Sequence, residues 1–230
     1  MKKLITLLLF TSFFALSKQA QSQDVGISFS YFIPKNGYVS TPISPFSLRG
    51  LGVSFGDYVA VQSGFSLYRM SGMNVIDMGD IETKDPIIGP NFTLLIPIEL
   101  VLQYKTQYQE FKIKGGGFGF GSFDNKIMYG NLDKAIRNYE GWEVANANVD
   151  FDNNLGFGFY FGGEYVIYVN SQWGLSFEAN YFIGGADFPM KGSYTGGNTL
   201  GPLETKPIDF KDARLDFTGL EISIGVIITN

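Results

Sequence analysis

The amino-acid sequence predicts an all-β chain, an eight-stranded antiparallel up-and-down transmembrane β-barrel. Three observations carry that reading. Hydrophobic residues alternate with small or polar ones at a period of two in eight runs, the pattern of strands with two unlike faces. Short and long connections between the runs strictly alternate. The bulky positions share one face, while the other holds Gly, Ser, Ala, Asn and a few charges, which suits lipid outside and a crowded polar lumen inside.

Residues 1–22 read as a signal peptide. Lys2 and Lys3 form its positive end, Leu4–Leu16 its apolar core, and Ala20 and Ser22 supply the small residues for cleavage after Ser22. That apolar run is short for a transmembrane helix. Residues 23–230 are therefore expected to form the exported barrel domain.

The first strand is Asp24–Ile33, with Val25, Ile27, Phe29, Tyr31 and Ile33 on one face. The second, Phe46–Phe55, slips phase: Phe46 and Leu48 are even positions, whereas Leu51, Val53 and Phe55 are odd. A bulge at Gly50 would repair it. The third, Tyr58–Arg69, alternates through Val59, Val61, Phe65 and Leu67. The fourth, Phe92–Tyr104, sets Phe92, Leu94, Ile96, Ile98, Leu100 and Leu102 against Thr93, Pro97, Glu99 and Gln103. A proline inside a strand predicts a local bulge at Pro97. The fifth, Tyr108–Gly121, alternates through Phe111 and Ile113 and then enters a Gly-rich stretch that leaves its phase open. The sixth and seventh, Leu155–Val169 and Trp173–Ile183, form a hairpin around Asn170-Ser171-Gln172. The eighth is Phe217–Thr229.

The short connections are Gly56-Asp57, Lys105-Thr106-Gln107 and Asn170-Ser171-Gln172; the long ones are Pro34–Pro45, Met70–Asn91, Ser122–Asn154 and Gly184–Asp216. In a meander every short turn then falls at one end, together with both termini. Outer-membrane barrels have short periplasmic turns and long external loops. The expected location is the cell outer membrane of a Gram-negative envelope, with both termini periplasmic. A soluble barrel would need a solvated outer face, which the composition does not supply. Aromatics near strand ends, Tyr58, Tyr104, Tyr108, Tyr168 and Trp173 at one end and Tyr31, Phe92 and Tyr181 at the other, read as interfacial girdles.

The fourth strand, LLIPIELVLQYK with Pro97 central, resembles a strand of the small outer-membrane β-barrel family widespread in Bacteroidota, grouped with PorT-like and with OmpA- and OmpX-like eight-stranded barrels. The Gly-rich fifth strand and the sixth-to-seventh hairpin are similar too. The resemblance implies an outer-membrane barrel and no settled activity. The chain departs from that family at Ile228-Thr229-Asn230, where such barrels carry an aromatic residue.

The chain has no Cys and no His, and its net charge is −5. Disulfides, thiol chemistry and the usual general base near neutral pH are thereby excluded, and no basic footprint invites nucleic acid. No cofactor, metal or catalytic residue is expected. Asp150-Phe-Asp152-Asn-Asn154 has some likeness to a calcium loop but lacks its Gly and terminal Glu. Inward phase places Glu99, Lys112, Lys114, Glu164, Glu178, Glu221 and Arg49 near mid-height in the lumen. Glu164, Glu178 and Glu221 form an acidic arc, Glu99 is expected to meet Lys112 or Lys114, and the three cations are expected to face the arc. Unpaired charges there would be costly, so the reading is a salt-bridge network that closes the lumen. The expected function is a non-enzymatic structural or interaction protein presenting four long, solvated external loops. Its partners would be outer-membrane lipid and an envelope or extracellular protein. The alternatives are a narrow porin-like channel for ions or small solutes and, behind it, an outer-leaflet enzyme.

Overall fold

A computed structural model describes residues 24–36 and 43–229. The expected signal peptide and part of the first long connection lie outside the described residues. In chain order the strands are β1 (Val25–Pro34), β2 (Ile43–Phe55), β3 (Val59–Met70), β4 (Val75–Ile76), β5 (Asn91–Lys105), β6 (Gln109–Phe123), β7 (Val144–Phe151), β8 (Gly156–Tyr168), β9 (Trp173–Asp187), β10 (Met190–Gly197), β11 (Glu204–Phe210), β12 (Arg214–Asp216) and β13 (Gly219–Ile228); helix α1 (Tyr129–Glu140) lies between β6 and β7.

Eight of these strands close a barrel in the order β1-β2-β3-β5-β6-β8-β9-β13, all antiparallel. The closing ladder runs from Val25 opposite Ile228 to Pro34 opposite Gly219. Closure removes the free edges that an open sheet would expose. The barrel strands are 10–15 residues long, enough for the roughly 9–11 residues that a tilted strand needs to cross a bilayer.

The expected bulge at Gly50 is present: the β2–β3 register shifts between Leu48 and Leu51, and Gly50 has φ 83°. It lets Arg49 keep its inward direction while Leu51 returns to the outer face. Pro97 makes no bulge, a correction to the sequence reading. The β5–β6 ladder passes Pro97 opposite Phe118 without a shift. On the β3 side pairing lapses at Pro97 and resumes in the same register, from Ser63 opposite Ile98 to Ser66 opposite Leu95. Ser63 donates a hydrogen bond of 2.7 Å to the Pro97 carbonyl, so the strand is held without the missing N–H. In β6 the inward phase is unbroken through Glu110, Lys112, Lys114, Phe118, Phe120 and Ser122, which puts Gly115, Gly117, Gly119 and Gly121 on the outer face.

The bulky face points outward. Phe159 is 75% exposed, and Phe157, Phe177 and Ile222 are exposed as well, while Glu164 and Glu178 are buried. Tyr58, Tyr104 and Tyr108 ring the short-turn end as expected. Tyr168 does not: it sits in phase with Glu164 and Val166 and faces the lumen.

The long connections are not simply solvated loops. β7, β10 and β11 form a second, three-stranded sheet. Helix α1 buries Leu132, Ala135 and Ile136, which lie on one face at helical spacing, and it ends on Gly141 in the left-handed region. Asp133 accepts the Ala147 N–H at 2.7 Å, tying the helix to β7. β12 pairs with both β9 and β4. The inward face of this cap, including Ala147, Val149, Met190 and Ile208, is continuous with the apolar filling of the barrel mouth.

A Cβ at Gly50 would lie 2.2 Å from the Asp24 carbonyl oxygen, at a φ that disfavours side chains; at Gly56, φ 74°, nothing lies within 4 Å. Gly50→Val is expected to cost about 1–3 kcal/mol, measured by urea unfolding in detergent micelles, and Gly56→Ala less. Equal losses would contradict the role of the bulge.

Candidate functional site

Strand phase and register assemble the charged lumen. Among the described residues eight charged side chains are buried: Arg49, Glu99, Glu110, Lys112, Lys114, Glu164, Glu178 and Glu221. Glu164 and Glu178 are direct partners across the β8–β9 ladder, an arrangement that repels unless a cation intervenes. Lys114 supplies it, with Nζ 2.6 Å from Glu164 and 3.1 Å from Glu178. Lys112 lies 3.6 Å from Glu164 and 3.4 Å from Glu110. Arg49 reaches past β1, whose inward residues Gly26, Ser28 and Ser30 are small, to Glu221 at 3.0 Å. The three cations are thus placed among the acidic arc.

Glu99 meets neither lysine. It lies opposite Gly116, whereas Lys114 and Lys112 lie opposite Val101 and Gln103. Two to four residues of offset put the lysines roughly 7–13 Å nearer the short turns. Glu99 accepts instead a short hydrogen bond from the Tyr160 hydroxyl. Other uncharged donors extend the network, although Glu99 Oε1, Glu221 Oε2 and Arg49 Nε keep no hydrogen-bond partner among the described residues. Asn180 donates to Glu178 at 2.7 Å and to Glu221 at 3.3 Å, and Tyr168 donates to Glu110 at 2.6 Å. Five carboxylates against three cations are tolerable because hydrogen bonds to charged acceptors are strong.

Glu110 and the two tyrosines, Tyr160 on Glu99 and Tyr168 on Glu110, are absent from the site expected from sequence. The signal was available, since Glu110 shares the even phase of Lys112 and Lys114. Tyr160 looked like one more aromatic in a run of aromatics.

Above the charges lies a second filling that the sequence reading did not contain. Phe217, just before β13, projects into the barrel and packs on Phe32 and Phe120 with ring centroids 4.8 and 4.9 Å apart. Phe118, Phe182 and Tyr68 complete an aromatic layer around it. Charges therefore occupy the half toward the short turns, and aromatics the half toward the cap.

The cap has its own polar joint. Glu140, at the end of α1, accepts from Tyr194 at 2.5 Å and from Lys206 at 2.6 Å. Lys206 also lies 4.9 Å over the Trp142 ring. Hydrogen bonds from Lys206 and then Tyr194 hold the Glu140 carboxyl below its ordinary value, and the Lys206 ammonium is correspondingly raised.

No family model matches the chain, and no curated protein matches it. Several solved structures align over most of its length at low identity. The outer membrane protein OprG from Pseudomonas aeruginosa is 12% identical over 92% of this chain and 97% of that one, with a TM-score of 0.47. Ail, the attachment invasion locus protein of Yersinia pestis, is 10% identical over 92% and 100%, with a TM-score of 0.44. Neisserial surface protein A is 12% identical over 92% and 99%, with a TM-score of 0.43. The eight-stranded assignment rests on the strand ladders of this chain.

Lys114→Met leaves Glu164 and Glu178 facing each other and is expected to cost about 3–5 kcal/mol, read by urea unfolding. Adding Glu178→Gln should recover part of the loss. A cost below about 1 kcal/mol would show that Lys114 is dispensable. At the cap joint, a depressed carboxyl stabilises the fold fully above its ordinary value of 4.5 and ceases to do so as pH falls through the lower folded-state value. The protection of α1 and β11 amides, with exchange corrected for its intrinsic pH dependence, should therefore fall on acidification through that range, and Glu140→Gln should remove most of that fall.

Proposed function

We propose that this chain is a non-enzymatic outer-membrane barrel whose lumen is closed and whose cap is presented outside the cell as a structural or interaction surface. The single observation behind this reading is the inverted distribution of residues. The outer wall is a continuous belt of exposed Phe, Ile, Leu and Val, while the charges are buried. Water would penalise such a wall, and lipid would not. The short turns and both ends of the described chain share one rim, which is the periplasmic one in this orientation. The Pro97 strand, with its resemblance to the Bacteroidota barrels, fits the same assignment.

Closure is the second part of the proposal. The salt-bridge network fills one half of the lumen and the Phe217 aromatic layer the other, so a solute would have to displace both. The interaction role follows from the cap. A folded sheet and helix with fixed side chains suit a specific surface better than mobile loops do.

In planar bilayers the reconstituted protein is expected to carry no steady current. Lys114→Met alone should also stay closed, because the aromatic layer is untouched. A steady ohmic current from the unaltered chain would favour the narrow porin-like channel instead.

A further inference from the structure

At the cap end a cavity of about 830 Å³ lies between the start of the first long connection and the connection from β3 to β5. This falls within the roughly 300–1,000 Å³ of small-molecule sites. Its floor is apolar and buried: Val75, Met78 and Ile81. The floor is also fixed. Val75 pairs with Leu215 through the β4–β12 ladder, and the Ile81 N–H donates to the Met78 carbonyl at 3.3 Å. Asp77 and Gly79 both take left-handed backbone, φ 60° and 64°, which turns the chain sharply and leaves Asp77 on the cavity wall. Lys35 also lines the cavity, and its backbone N–H is bonded to the Thr218 carbonyl at 2.8 Å. The adjacent Asn36 is bonded to Asp216 at 2.8 Å.

Four charged side chains line this cavity, and one of them, Lys84, is engaged. Lys35, Asp77 and Glu82 make no side-chain ion pair or hydrogen bond among the described residues. Elsewhere in the long connections Lys126, Lys134, Lys206, Lys211 and Arg214 have an acidic partner, whereas Arg137 and Lys191 have none among the described residues. An apolar floor between unpaired charges of both signs matches a ligand that carries both signs and an apolar body.

We propose that this cavity binds a small zwitterion of the short-peptide class. Its ammonium sits at Asp77 and Glu82, its carboxylate at Lys35, and its side chains lie on Val75, Met78 and Ile81. The site is independent of the closed-lumen reading, and its failure would leave that reading intact.

The test uses the full chain in detergent micelles, titrated with trialanine and followed by the amide shifts of residues 75–83. Saturable shifts are expected with trialanine. N-acetyl-trialanine, which lacks the ammonium, and trialanine amide, which lacks the carboxylate, should each bind at least about tenfold more weakly, the usual scale for losing a charged hydrogen bond. Asp77→Asn and Lys35→Gln should each cause a similar loss. Asn tolerates the left-handed backbone at position 77, so that variant removes the charge and keeps the turn, and unchanged barrel amide shifts confirm the fold. No saturable shift with trialanine overturns the proposal. So does equal binding of the blocked peptides, or full binding by both variants.

Discussion

The structure depends on pairing charge inside a narrow space bounded by walls whose outer face is apolar. A carboxylate cannot stay unpaired at mid-height in such a lumen without a penalty of several kcal/mol, and here Glu164 and Glu178 are placed directly opposite one another. Lys114 between them is what makes the β8–β9 pairing tolerable. The remaining features of that layer follow. Lys112 and Arg49 satisfy the next acids along, and tyrosine and asparagine side chains supply the donors that cations do not.

The aromatic layer and the cap extend this lower network into one continuous filling. Phe217 enters the barrel from the segment between β12 and β13, and β12 is held by both β9 and β4. The aromatic plug is therefore anchored by the cap connections as well as by the wall. The apolar cluster runs without a break from Phe32 and Tyr68 in the barrel to Met190 and Ile208 in the cap sheet, so the long connections are part of the same packed unit.

The barrel was legible because period-two alternation in the strands survives every local irregularity. The Gly50 bulge could be placed from a phase slip alone, since a single extra residue swaps the two faces. The inward direction of the lumen charges followed from phase, but a common depth did not, since Lys112 and Lys114 lie nearer the short turns than Glu99. Nor did their partners. Which lysine meets which carboxylate depends on register between strands, and a two-residue offset sends Glu99 to Tyr160. Pro97 misled because its missing N–H is accommodated by a lapse in one ladder and a serine hydroxyl on its carbonyl. The cap was not legible. β7 does alternate, with Ala145, Ala147, Val149 and Phe151 against Asn146, Asn148 and Asp150, but two of its apolar residues are alanines and it lies inside a stretch read as a loop, while β10 and β11 hold only scattered apolar residues such as Met190, Tyr194 and Ile208. Phe217 read as the first residue of the last strand, although it packs above that strand, inside the barrel.

The central claim is that lipid covers the bulky face. The chain has no cysteine, so single cysteines can be introduced at Phe159, which is 75% exposed on the wall, and at Leu200 on the cap hairpin, which is fully exposed. Nitroxides attached at each, in reconstituted bilayers, report collision with oxygen, which concentrates in lipid, and with a water-soluble nickel complex. The account predicts high oxygen and low nickel access at Phe159, and the reverse at Leu200. Nickel access at Phe159 equal to that at Leu200 would contradict it.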